Sequence, residues 1–181
     1  MEIYIRAETY SNECRTPLVP HDVKTLVEKG YTIMVEKSDL RAFSNDEFKE
    51  AGASLTKEKW FDQKSSTLIL GLKELDHLER LDHHIHVYFS HSFKKQMGFE
   101  KVLAAFKASE SKLYDLEYFR NESGLRSVGF GFYAGIVGAI LGIRQNYNRK
   151  MAMEDIVNLK PWSSINSMYE YGRRCISYAA I

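Results

Sequence analysis

The sequence predicts an α/β fold: a three-layer domain built on a mostly parallel sheet, with further helices at the carboxyl end. Three observations predict it. Short apolar runs of strand length alternate with helical patterns from Ile3 to Tyr118. Two of those runs, Thr67 to Leu72 and Ile85 to Ser90, suit strands covered on both faces, the environment of a parallel sheet. With 181 residues, 44% hydrophobic and 27% charged, the chain has apolar matter for one core and an appendage. A chain of this size buries roughly 70% of its unfolded surface without staples.

Ile3 to Arg6 is the first strand. Pro17 and Pro20 then break regularity. Pro20-His21-Asp22 opens a helix, with Val23, Leu26 and Val27 at helical spacing and Lys29-Gly30 as its stop. Tyr31 to Glu36 is rich in strand formers. Ser44-Asn45-Asp46-Glu47 starts a second helix with acids in its first turn, and Gly52 ends it. Thr67 to Leu72 and Ile85 to Ser90 are the next strands. Phe99 to Ala108 is an amphipathic helix with Val102, Leu103 and Phe106 on one face. Lys112 to Tyr118 is the last strand. The alternation implies βαβ units.

After about Arg126 the character changes. Gly131, Gly135, Gly138 and Gly142 fall at spacings of four, three and four, which is one face of a helix. Such a face admits close approach by another element. Glycine weakens a helix by about 1 kcal/mol per residue relative to alanine, so packing must stabilise this one. Val128 to Ile143 therefore reads as a buried helix, and Ile165 to Ala180 as the last. The chain divides into an α/β domain, residues 1–127, and a glycine-rich helix with a helical tail, residues 128–181.

Composition excludes several classes. Twenty-five Lys and Arg against 24 Asp and Glu leave a net charge of +1, unlike a nucleic-acid binder. Two cysteines make no disulfide framework. Glu2, Arg6 and Glu8 exclude a signal peptide at the start. The apolar stretch Val128–Ile143 falls short of the roughly 18–20 residues of a membrane span. A cytoplasmic protein is expected. No Gly-x-Gly-x-x-Gly follows a strand, and no Walker loop exists; Gly129-Phe130-Gly131 comes closest, with Ala134 where a glycine is needed.

Several residues could carry chemistry. Lys73-Glu74 follows a buried strand, and ligands of open α/β sheets sit beyond the carboxyl ends of strands. Spacing alone leaves two readings: a lysine poised for proton transfer, or a solvated loop pair. His91, at the end of Ile85–Ser90, is placed for acid–base work or for a plain structural hydrogen bond. Lys94 or Lys95 beyond it could bind a carboxylate. Arg15 and Arg126 are carboxylate clamps or structural salt bridges. Glu117 is an acid at a strand terminus. His83-His84-x-His86 has no further Cys or His at ligand spacing, so it reads as surface or strand-edge histidines and no metal is expected. Cys14 beside Arg15 could be activated, with nothing to suggest nucleophilic catalysis.

The ordered segments resemble a known family. Arg6-Ala7-Glu8, Glu13-Cys14-Arg15-Thr16-Pro17-Leu18-Val19-Pro20, Leu70-Gly71-Leu72-Lys73-Glu74-Leu75, His86 to Gln96, Leu113 to Tyr118 and Gly129 to Gly135 resemble the NAD-dependent, lysine-forming saccharopine dehydrogenases. These sit within the alanine dehydrogenase and transhydrogenase N-terminal domain group. The resemblance runs over roughly residues 1 to 145 and implies a Rossmann-like fold. It also implies a reaction: saccharopine is oxidised by hydride transfer to NAD, and water hydrolyses the imine to lysine and 2-oxoglutarate. Lys73 and His91 would be the acid–base pair, tuned by Glu74 and Glu117. Arg15, Lys94, Gln96 and Arg126 would hold the carboxylates. Ser92 departs from the cysteine frequent in the family. Family members are about twice as long, so residues 128–181 would lead into a dinucleotide domain. NAD is thus implied by the resemblance and has no binding motif here. The expectation is a substrate-binding half, inactive alone, that needs a separate NAD-binding subunit or forms a homo-oligomer. The alternative is a non-catalytic amino-acid or dicarboxylate binding or scaffold protein.

Overall fold

Strand β1 (Glu2–Ile5) is the centre of the sheet. The computed structural model describes residues 1–151 and 164–179. The chain forms two units, Met1–Val128 and Gly129–Ile181.

In the first unit the strands β2 (Thr32–Glu36), β3 (Ser54–Thr56), β4 (Leu68–Leu70), β5 (Ile85–Tyr88) and β6 (Lys112–Asp115) join β1 in the order β3-β2-β1-β4-β5-β6. Every pairing is parallel. The sheet grows from β1 to β3 in one direction and then resumes at β4 on the other side of β1. That reversal makes a crevice at the carboxyl ends of β1 and β4, the place where open α/β sheets bind ligands.

Helix α1 (Pro20–Glu28) starts with proline at its first position, where no N–H is needed. It stops at Gly30, whose φ of +85° a side chain rarely tolerates. Helix α2 (Asn45–Glu50) is capped by Ser44: its Oγ accepts from Glu47 N at 3.2 Å while Glu47 Oε2 accepts from Ser44 N at 2.7 Å. These helices cover one sheet face, where Val23 and Phe48 pack on Ile3, Ile5, Ile33 and Val35. Trp60, Leu75, Leu81 and Phe106 of α3 (Phe99–Ala108) cover Tyr4, Ile69 and Tyr88 on the other. Three layers result, as expected from the strand runs.

Three expectations need correction, and one strand carries no signal in the sequence. The strand β3 has no apolar run to announce it; it exists because Met34, Val35 and Glu36 offer an edge to Ser54, Leu55 and Thr56. The last strand ends at Asp115, whose Oδ1 accepts from Glu117 N at 3.0 Å and turns Leu116–Tyr118 into a 3₁₀ turn. His84 and His86 lie in the core, not on the surface or edge. His84 Nδ1 accepts from Asp82 N at 3.0 Å, so Nε2 carries the proton and donates to Gln63 O at 3.2 Å. Among the described residues no group of three metal-ligating side chains occurs.

In the second unit, α4 (Gly131–Met151) and α5 (Ile165–Ala179) pack on each other. Here lies the third correction: most of residues 131–145 of α4 are exposed, and a Cβ at Gly131, Gly135, Gly138 or Gly142 would meet none of the described residues within 4 Å. The close approach occurs instead at Gly172 of α5, where a Cβ would lie 3.0 Å from Ile140. Ile140 and Met168 are the buried side chains of this pair among the described residues. Ala180 and the stretch from Lys160 to Ser163 lie outside the described residues. No described helix is long and apolar enough to cross a membrane.

Candidate functional site

Of the buried carboxylates at the carboxyl edge of the sheet, two gather the candidate site residues. The first is Glu13, in the loop after β1. Its side chain is 5% exposed. Arg15 Nε donates to Glu13 Oε1 at 2.7 Å, Arg15 N donates to the same oxygen at 3.1 Å, and Arg15 Nη2 pairs with Oε2. Lys73 Nζ, just beyond β4, lies 3.8 Å from Oε2. The hydrogen bond from Arg15 holds the Glu13 carboxyl below the ordinary carboxylate range, and the Lys73 charge acts in the same direction. Reciprocally, Glu13 raises the pKa of Arg15.

A depressed carboxyl stabilises the fold above its unfolded pKa and loses that contribution as pH falls through its folded value. Glu13→Gln is therefore expected to lower stability at pH 7 by about 1.5–3 kcal/mol, the range for hydrogen bonds to charged groups. The difference should narrow as pH falls below the ordinary value of 4.5 and close once the folded carboxyl also takes up its proton. Urea midpoints at pH 7 and pH 3 check this.

The second carboxylate is Glu117, 5% exposed, in the 3₁₀ turn after β6. Lys94 Nζ lies 3.2 Å from Oε1 and Arg126 Nη2 lies 3.1 Å from Oε2. His91 Nδ1 lies 3.3 Å from Oε1, close enough for an ion pair but not aligned as a hydrogen bond. The His91 backbone is left-handed, with φ +52°, a strained conformation for a residue with a side chain. Its ring stacks on Phe89 at 6.0 Å. Ser90 Oγ donates to Asp115 Oδ2 at 2.7 Å and ties the ends of β5 and β6 together.

Gly71 N donates to Val87 O at 3.0 Å and Phe89 N donates to Leu72 O at 3.2 Å. The β4–β5 ladder thus continues beyond both strands, and Lys73 and His91 leave from adjacent strand ends. Arg15 and Lys73 meet at Glu13; His91, Lys94 and Arg126 meet at Glu117. Two residues with expected roles stand apart. Glu74 faces Tyr10, whose hydroxyl pKa it raises by its charge and a hydrogen bond. Gln96 is exposed, and its carbonyl accepts from Phe99 N at 3.0 Å. Glu13 had no assigned role, although the spacing Glu13-x-Arg15 in a loop was a signal for this pair.

The loop after β1 runs from Arg6 to Val19 without a glycine, and Gly129-Phe130-Gly131 opens α4 with no strand before it. Both features are required where a diphosphate sits on a helix N-terminus.

Comparison with known proteins gives these features a family. Residues 4–137 match the family model "Alanine dehydrogenase/PNT, N-terminal domain". The saccharopine dehydrogenase [NAD(+), L-lysine-forming] of Yarrowia lipolytica is 39% identical over 144 residues, covering 79% of this chain and 39% of that protein. The same-named protein of Neurospora crassa is 41% identical over 142 residues, covering 78% and 38%. The chain thus spans about two-fifths of the length of these relatives. Among solved structures, an L-alanine dehydrogenase superposes with a TM-score of 0.67 at 16% identity, over 99% of this chain and 53% of that one, a likeness of fold. On the family match and the shared parallel sheet, the chain belongs to the alanine dehydrogenase/PNT N-terminal domain family.

Proposed function

We propose that this domain is the substrate-binding half of a saccharopine dehydrogenase-like oxidoreductase, inactive without a nucleotide fold on another segment or polypeptide. The observation that carries the reading is the pair of buried carboxylates, Glu13 and Glu117, that gather four cationic side chains and the His91 ring along the carboxyl edge. A substrate with several carboxylates needs such cations, and Arg15, Lys94 and Arg126 take that role with Gln96. Lys73 and His91 move protons at the substrate nitrogen and at the water that hydrolyses the imine. Glu117, 3.3 Å from His91 Nδ1, orients that ring. Glu13 and Glu117 hold the cations in place until substrate carboxylates compete for them. Hydride acceptance by NAD falls to a nucleotide fold on another segment or polypeptide.

Calorimetry of the chain with saccharopine, lysine and 2-oxoglutarate, without NAD, tests the reading. Saccharopine is expected to bind, and Arg126→Met to weaken it about tenfold, the worth of one lost hydrogen bond to a charged group. No binding of any of the three would sink the proposal. Mixing the chain with a nucleotide-binding domain and following NADH absorbance tests the second half. Turnover is expected only in the mixture. Binding without turnover there assigns the domain to non-catalytic amino-acid or dicarboxylate capture instead.

A further inference from the structure

Lys73 lies outside regular structure, in the bend after β4, so no strand ladder fixes its backbone. Two charged residues of the β1 extension do so instead. Glu8 Oε1 accepts from Leu72 N at 2.8 Å and Glu8 Oε2 accepts from Lys73 N at 3.0 Å. Arg6 Nη2 donates to the Lys73 carbonyl. Arg6 Nη1 closes the ring at 3.4 Å from Glu8 Oε2. Both side chains are sealed from solvent, at 1% and 3% exposure. The guanidinium passes through the space that Gly71 leaves by having no Cβ, and lies 5.8 Å from the Tyr88 ring centroid.

This arrangement is costly as a means of stability alone. A buried ion pair is often weaker than a well-packed apolar pair of similar size. Arg6 also keeps Nε and Nη1 buried without a hydrogen bond. What the pair supplies is geometry: both the N–H and the C=O of Lys73 are gripped by charged groups. Rotation of this residue would swing Nζ away from Glu13, 3.8 Å off. We propose that Arg6 and Glu8 are positioning residues that clamp the Lys73 backbone and so set where its amine points at the switch between β1 and β4. The inference rests on the reading of Lys73 as a functional residue, given above.

The test uses the full chain and two readouts. One is the pH profile of Lys73 modification by an amine-reactive acylating reagent, resolved by mass spectrometry, with exposed Lys57 as internal reference. The other is saccharopine affinity by calorimetry. Glu8→Gln keeps the shape but places an amide NH₂ against one backbone N–H. It is expected to shift the Lys73 profile relative to Lys57 and to weaken saccharopine about tenfold, while the variant stays folded by circular dichroism. Arg6→Lys, which keeps the charge but loses the fork, should do the same. A folded Glu8→Gln with an unchanged Lys73 profile overturns the proposal. Both variants unfolding assigns the pair to stability and also overturns it. If the wild type fails to bind saccharopine but Glu8→Gln still moves the Lys73 profile, the substrate reading falls and the clamp stands.

Discussion

Gly71→Ala is expected to destabilise the protein by about 3 kcal/mol or more, the upper range for overpacking a filled core. The reason lies across the sheet. An added Cβ would stand 2.1 Å from Arg6 Nε and 2.5 Å from Arg6 Cζ. Arg6 is 2% exposed and cannot swing into solvent without leaving the Glu8 carboxylate buried and unpaired. Breaking such a pair by losing one partner costs about 3–5 kcal/mol. Backbone strain is not the cause, since Gly71 is not among the residues with positive φ. The cause is checked by a double-mutant cycle. Shortening Arg6 to methionine should itself destabilise, but Gly71→Ala should then cost less by at least about 1 kcal/mol, a coupling typical of residues in contact. Urea denaturation of the four proteins measures it, and additive losses would refute the clash.

His86→Leu is expected to remove much of the protein's loss of stability in mild acid. His86 is 1% exposed and meets the rings of Trp60, Tyr88 and Phe106 in T-shaped arrangements. Burial pushes its pKa down to about 3, and the proximity of His84 and Arg6 acts the same way. In the unfolded chain the ring takes up a proton near pH 6.5. Between these values the unfolded state binds a proton that the folded state refuses, so stability falls as pH falls, by about 1.4 kcal/mol per pH unit. Leucine has no such proton. Both ring nitrogens also lack a hydrogen-bond partner in the fold, so leucine is expected to raise stability at pH 7 by about 1–3 kcal/mol. Urea midpoints at pH 7 and pH 4.5 should therefore diverge, the wild type losing about 3 kcal/mol more than the variant over that interval. Parallel curves would show that His86 titrates normally in the fold.

Most of the sheet was legible because its signals are local. Apolar runs at Ile33–Val35 and Leu68–Leu70 mark strands wherever they pack, and Phe99–Ala108 matches its helix from end to end. Pro20, Ser44 and the glycines at 30 and 52 are helix punctuation with a mechanism of their own. The edge strand Ser54–Thr56 was not legible, because its pairing with Met34–Glu36 supplies all of its order. The helix Gly131–Met151 was legible as a helix, but its burial was not. Whether a glycine face is covered depends on what stands opposite, and none of the described residues comes within 4 Å.

The same division runs through the site. That Lys73 and His91 follow strands, and so belong to the carboxyl edge, can be read from residue types along the chain. Which carboxylate each one meets cannot: Lys73 neighbours Glu74 in sequence yet lies beside Glu13, 60 positions away, and His91 is drawn to Glu117. Local propensity is a property of a few adjacent residues, so sequence by itself determined the α/β class, the strand order of chemistry-bearing segments along the chain and the family pattern. The parallel pairing of β1 with β4 and of β5 with β6 decided the rest. Electrostatic pairing and burial act over ångströms in space, and only the closed sheet brings distant loops within that range.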